Sequence, residues 1–295
     1  MKICLHVGPY CTAADDLCAH LSQNTELLAE HQIALRIEDE DRAWLHEVLS
    51  QAGSSDTKGD KGPDPIGDLD LPVGTKAVVL CAEDLLGPLG RPYANLYWYG
   101  RAKPKIEAFY RAFAQHDLQC SIALSDPARA IPALYAENIK QGNHVDFKNF
   151  LGPTTVEKLL WSELIERVQL REQYRPVIAW TVEDYPYIWR QVIQAMTGLP
   201  NAQLLEGTIT VNRPGPSVPQ VEHYLKSIRA LKSEGAAITD THWTEFIASF
   251  HNLTKLPDHP KWKPALQREL SEIYDEDLYT VARMEAVTFL QRPRF

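Results

Sequence analysis

Apolar residues in this chain fall into short runs separated by longer amphipathic stretches. Lys2 to Gly8 is an apolar run closed by Gly8-Pro9, and Leu17, Leu21, Leu27 and Leu28 follow at wider spacing, so the chain opens as strand, loop, helix. Gln32 to Arg36 predicts a second strand, and Glu40 to Gln51 an amphipathic helix with Trp44, Val48 and Leu49 available to one face. Residues 52–72 are rich in Gly, Ser, Asp and Pro, with Ile66, Leu69 and Leu71 as the large apolar groups. They predict a flexible insertion, either a plain surface loop or a lid over a site.

Regular pattern then resumes. Lys76 to Cys81 and Gln119 to Leu124 read as buried strands, Lys105 to Gln115 as a helix, and Asp126-Pro127 opens a helix through Ile139 with Pro in the tolerant first turn. Thr154 and Glu157 have capping-box spacing ahead of a predicted long helix through Leu170. Pro176 to Trp180 supplies another strand, and a helix follows from about Tyr185 to Met196. Residues 213–285 are mostly helical, with segments at Ser217 to Leu231, Asp240 to His251 and Pro264 to Tyr274, before a short terminal strand at Val287 to Leu290. Alternating strands and helices predict an α/β fold over residues 1–295, one domain with a doubly wound, mostly parallel sheet flanked by helices and a helical C-terminal part.

Composition narrows the class. With 44% hydrophobic and 23% charged residues the chain has ordinary globular values, and its net charge of −9 argues against nonspecific binding to nucleic acid or an anionic membrane. A ligand as anionic as a nucleotide would need a local basic pocket. Five widely spaced cysteines without a CxxC pair suit reduced thiols and a cytoplasmic setting, and no apolar run reaches membrane-spanning length.

The opening Leu5-His6-Val7-Gly8-Pro9-Tyr10-Cys11-Thr12-Ala13-Ala14-Asp15-Asp16-Leu17 resembles the first strand and loop of bacterial P-loop sulfotransferases, whose pattern is His-hydrophobic-Gly-x-x-Lys-Thr-Gly-Thr-Ser/Thr. The resemblance implies a P-loop NTPase-like sheet and a donor site for 3'-phosphoadenosine 5'-phosphosulfate (PAPS) along Gly8, Pro9, Tyr10, Cys11, Thr12, Ala13 and Ala14. There, backbone amides at a helix N-terminus would wrap the phosphosulfate. The family lysine falls on Cys11, its glycine on Ala13, and the hydroxyl residues after it on Ala14 and Asp15. A second segment, Ile122 to Tyr135, resembles the family's strand-to-helix turn that holds the donor's 3'-phosphate, yet the arginine position is Ser125 and the serine position Ala133. The bidentate guanidinium and its supporting hydroxyl are both missing. Ala82 to Leu86 is similar to the family's Ser-Ser-Glu-Asp-Leu turn, which makes Glu83 the candidate general base.

Other constellations were weighed beside these. Tyr93, Leu96, Tyr97, Trp98 and Tyr99, followed by Arg101, Lys103 and Lys105, form a run that either stacks a planar or sugar substrate or packs a loop on the sheet. Glu183 and Asp184 end another strand at the edge where open α/β sheets place their sites. His6 reads as a core histidine, and no zinc-type spacing of histidines is present. The leading expectation is a catalytically impaired or noncatalytic binding or scaffold protein with a small-molecule or protein partner. The rivals are a working sulfotransferase, in which Arg91, Arg101, Lys103 or Lys105 enters a rearranged donor site for PAPS or adenosine 3',5'-bisphosphate, and an unrelated hydrolase or assembly module.

Overall fold

The computed structural model describes residues 1–54, 64–90, 92–93, 97–171, 173–208 and 215–293. Arg91, Leu96 and part of the expected insertion lie outside them. Six strands, β1 (Lys2–His6), β2 (Ile33–Arg36), β3 (Ala77–Cys81), β4 (Asp117–Leu124), β5 (Val177–Thr181) and β6 (Val287–Leu290), make one sheet in the order β2-β3-β1-β4-β5-β6. Every pairing is parallel, and β1 lies between β3 and β4, with Leu5 opposite both Leu80 and Cys120.

Side chains of successive strand residues point to opposite faces, so each central strand feeds two cores. Ile3, Leu5, Val7, Val78 and Leu80 face one core, built with α3 (Asp39–Ser54), α4 (Ala102–Ala112) and α5 (Pro127–Lys140). Cys4, Val79, Cys81, Ala123 and Trp180 face the other, under α1 (Ala14–Gln23), α2 (Thr25–Glu30) and α8 (Tyr185–Thr197). Because both faces are covered, these strands read as continuous apolar runs rather than alternating ones. Each wholly buried Leu or Ile contributes about 1.5–3 kcal/mol.

The remaining helices are α6 (Phe147–Leu151), α7 (Trp161–Val168), α9 (Val218–Ser233), α10 (Asp240–Ser249) and α11 (Pro264–Val281). Two differ from the sequence reading. The helix expected from Thr154 to Leu170 is a single 3-10 turn at Val156–Lys158 and then α7, separated by extended Leu159 and Leu160. Its start is fixed from outside: the buried carboxylate of Asp277 on α11 accepts hydrogen bonds from Trp161 N–H at 2.6 Å, Ser162 N–H at 3.1 Å and the Ser162 hydroxyl. In turn α11 runs on past Tyr274 to Val281, because Leu270, Tyr274, Asp277 and Val281 form one buried face.

Among the described residues no helix is long and apolar enough to cross a membrane. Within the expected insertion, Asp64 caps the 3-10 turn Pro65–Asp68 and pairs with His116 at 2.9 Å, while Ile66 and Leu71 pack on the core.

Candidate functional site

Adjacent strands β1 and β4 send their following helices to opposite faces: Leu17 and Leu21 of α1 join one core, Ile131 and Leu134 of α5 the other. In open α/β sheets such a reversal leaves the ligand-binding crevice at the carboxyl ends of the two strands, here those of β1 and β4. The loop from Gly8 to Ala13 and the turn at Ser125-Asp126 both stand there, flanked by Glu83 after β3 and Glu183 after β5.

The first loop is tightly folded. Gly8 has φ +21°, and Cys11 and Ala13 take left-handed conformations at φ 61° and 62°. The buried Thr12 hydroxyl donates to the Pro9 carbonyl, and Ala13 begins α1 with no side-chain cap. A Cβ on Gly8 would stand 3.1 Å from His6 Nε2 and 3.4 Å from Glu83 Cβ, so His6, Gly8 and Glu83 are in direct packing contact. His6 is wholly buried, stacks on Trp180 at 5.9 Å, and places Nδ1 against Ser121, while Nε2 has no hydrogen-bond partner. Burial, opposed by its hydrogen bond to the Ser121 backbone, lowers its pKa to about 4 and keeps the ring neutral.

Negative groups dominate around the loop. Burial first, then Asp15, Asp84 and Glu137, raise the Glu83 carboxyl above its ordinary range against the pull of Arg42. Burial, Glu137, Glu83 and Asp15 push the Cys11 thiol up to about 12, with Lys140 opposing. Tyr10 is moved likewise to about 12 by burial, Asp84 and Glu83, with Arg42 opposing. The cations acting on these three groups are Arg42 and Lys140, and Lys140 already pairs with Glu137 at 3.2 Å. Cys11 is therefore a neutral thiol where the resembling pattern has a lysine.

At the second turn, Ser125 is buried. Its hydroxyl points to Glu183 at 3.5 Å and its carbonyl accepts the Trp161 indole N–H at 2.9 Å. Glu183 also accepts from the Asp126 amide at 3.1 Å and the Tyr274 hydroxyl at 3.1 Å, so it ties this turn to α11. Asp126 caps Ala128 N–H at 2.8 Å and accepts from Ser271 at 2.6 Å. Ala133 is half-buried on α5, one residue after Pro132.

The aromatic run divides. Tyr97 is exposed beneath the Arg167 guanidinium at 5.4 Å, and Arg101 is exposed at the head of α4. Trp98 is wholly buried, stacks on Trp161 at 4.5 Å and donates its indole N–H to the Leu159 carbonyl at 3.1 Å. Tyr99 is buried and Tyr93 half-buried, and burial together with Cys11 raises both phenols. Lys103 pairs with Glu107 at 3.9 Å; Lys105 is half-buried and feels Asp84. Sequence reasoning passed over Arg42 on α3, which pairs with Asp39 and acts electrostatically on Tyr10 and Glu83, with no local pattern to announce it. All five cysteines are free, and no cluster of three or more His, Cys, Asp or Glu suited to a metal occurs among the described residues.

The class defined by this geometry is an α/β protein with a parallel sheet covered on both faces and a first-strand loop at a topological switch point. Comparison with protein-family models and with curated proteins finds no match. Among solved structures the chain is similar to the sulfotransferase from Alicyclobacillus acidocaldarius, at 15% identity and a TM-score of 0.42 over 88% of this chain and 97% of that one.

Proposed function

We propose that this is a sulfotransferase-like protein whose donor crevice no longer binds PAPS in the ordinary way, and that it serves as a binding or scaffold protein. The charge of the crevice carries the reading. Asp15, Glu83, Asp84 and Glu137 act on a loop whose lysine position is the neutral Cys11. At an effective dielectric near 20, one like-charge contact at about 4 Å costs about 4 kcal/mol. A helix N-terminus returns only about 0.3–1 kcal/mol. The second phosphate position has the same deficit, since Ser125 is engaged with Glu183 and Ala133 offers no hydroxyl.

One observation favours a second reading, a working transferase with a rearranged donor site. Glu83 packs against Gly8, and its raised pKa would suit a base that takes the proton of a hydroxyl acceptor. Calorimetry with adenosine 3',5'-bisphosphate separates the two. The binding or scaffold reading expects no heat of binding at millimolar nucleotide; micromolar affinity would overturn it and support the enzyme.

A further inference from the structure

At the end of the sheet opposite to the crevice, where α4 finishes and the chain enters β5, lies a cavity of about 380 Å³ lined by Glu107, Tyr110, Arg111, Leu170, Gln173 and Arg175. Leu170 and Tyr110 are buried and form its floor. Its rim carries two exposed arginines in a chain whose net charge is −9. The Arg175 guanidinium lies over the Tyr110 ring at 4.7 Å and donates Nε–H to Gln173 Oε1 at 3.1 Å. Its plane is thereby fixed, and among the described residues its terminal nitrogens have no hydrogen-bond partner. Arg111 donates one terminal nitrogen to the Ala52 carbonyl at 2.6 Å and keeps the other. Among the described residues no carboxylate pairs with either guanidinium, and the Glu107 carboxylate is engaged by Lys103 at 3.9 Å.

The loop that presents Arg175 is strained and tied down. Leu170 and Tyr174 take left-handed conformations at φ 54° and 47°, which bulky side chains adopt only where their surroundings enforce them. The Gln173 amide bonds to the Leu170 carbonyl at 2.9 Å, the Arg175 amide to the Gln169 carbonyl at 3.0 Å, and the buried Gln169 side chain donates to the Glu285 carbonyl at 2.5 Å. A guanidinium held in this way loses little freedom when a ligand arrives. We propose that the cavity binds the phosphate group of a small phosphomonoester. The terminal nitrogens of Arg175 and the remaining nitrogen of Arg111 donate to its oxygens, and the Gln173 amide N–H₂, whose own oxygen is taken, is a further donor beside them. Two guanidiniums at one cavity suit a doubly charged oxyanion, because each offers parallel N–H groups to a pair of oxygens. The volume exceeds what a phosphate ion fills and lies in the range of small-molecule pockets, so the floor of Tyr110 and Leu170 remains for the organic part of the ester. This site stands apart from the crevice and does not depend on what the crevice binds.

The test titrates the whole chain with glycerol 3-phosphate and, separately, with inorganic phosphate at constant ionic strength, reading affinity by calorimetry and the Nε–H signals of Arg111 and Arg175 by NMR. A dissociation constant of about 1 mM or tighter is expected for the ester, with both Nε–H signals shifting in step. Arg175→Gln and Arg111→Gln should each weaken binding about tenfold or more, while Arg268→Gln, an exposed arginine on α11, should leave it unchanged. Both replaced arginines are exposed, so the variants should fold, and the NMR shifts of the unaltered chain test the site independently of them. The absence of saturable binding at about 10 mM ester, unchanged affinity in either arginine variant, equal weakening in Arg268→Gln, or tighter binding of inorganic phosphate than of the ester would each overturn the proposal.

Discussion

Replacing Asp277 by alanine removes the carboxylate that holds the start of α7, and the cost follows from its contacts. Three donors converge on it: the Trp161 and Ser162 amides and the Ser162 hydroxyl. Hydrogen bonds to a charged acceptor contribute about 1.5–3 kcal/mol each. That gross gain is reduced because the carboxylate has left water; burial raises its pKa against the lowering effect of the three bonds. What the variant leaves behind decides the magnitude, since the three donors lose their acceptor inside the protein. Each buried donor left without an acceptor costs about 1–3 kcal/mol, so the variant should lose about 3 kcal/mol or more. Asp277→Asn retains one acceptor oxygen and should lose about 1–3 kcal/mol. Both can be measured by urea unfolding, with amide hydrogen exchange at Trp161 and Ser162 as the local readout. The effect should reach the crevice, because Trp161 donates to the Ser125 carbonyl. An alanine variant within about 0.5 kcal/mol of wild type, the range of ordinary surface substitutions, would refute the reasoning.

Two further outcomes are expected. His6 titrates near 6.5 when unfolded and near 4 when folded. Its lowered folded pKa means that the unfolded chain takes the proton first. Stability is therefore lost as pH falls from about 6.5 to about 4, by about 3 kcal/mol in all. His6→Phe, which keeps an aromatic ring beside Trp180, should flatten that part of a stability-against-pH curve; an unchanged slope would count against a buried neutral imidazole. In the first loop, Ala13→Gly should stabilise by about 0.5–1 kcal/mol by relieving φ 62°. Gly8→Ala should destabilise by about 1–3 kcal/mol through its strained φ and its contact with His6. Thermal unfolding of the two variants tests the pair, and shifts of the same sign would show that the loop backbone is not held as described.

Strands were legible because β1, β3, β4 and β5 are covered on both faces, and a residue buried from both sides leaves a short apolar run in sequence. Their order was not, since nothing within Ile3 to Val7 specifies that β3 and β4 pair on either side of it. The start of α7 escaped for a similar reason: its cap comes from Asp277, a partner 116 positions away, while Thr154 and Glu157 form only an apparent local signal. Trp98 shows the limit of reading aromatics beside cations. Local sequence does not say which ring turns inward, and here the indole stacks on Trp161, which α11 positions through Asp277. The crevice residues Glu83, Ser125 and Glu183 were readable as strand-end positions, but the influence of Arg42 and Glu137 on the first loop depends on packing of α3 and α5 that only the tertiary structure supplies.

The first loop separates two properties that usually travel together. Its backbone still makes two left-handed turns at Cys11 and Ala13, conformations that cost a side-chain-bearing residue about 1 kcal/mol or more each and that glycine adopts freely. Something other than local preference must hold them. The buried Thr12 hydroxyl locks Pro9, the Leu17 amide returns to the Ala13 carbonyl, and Val7 is fixed by its bond to Ser121. Shape is thus set by β1, α1 and β4, which have to pack in any case for the sheet to form. Charge is set by side chains that the packing hardly constrains, and here these are a thiol and surrounding carboxylates. The shape of this loop and its charge are therefore set independently, because packing of the sheet holds the backbone while the side chains around it are free to vary.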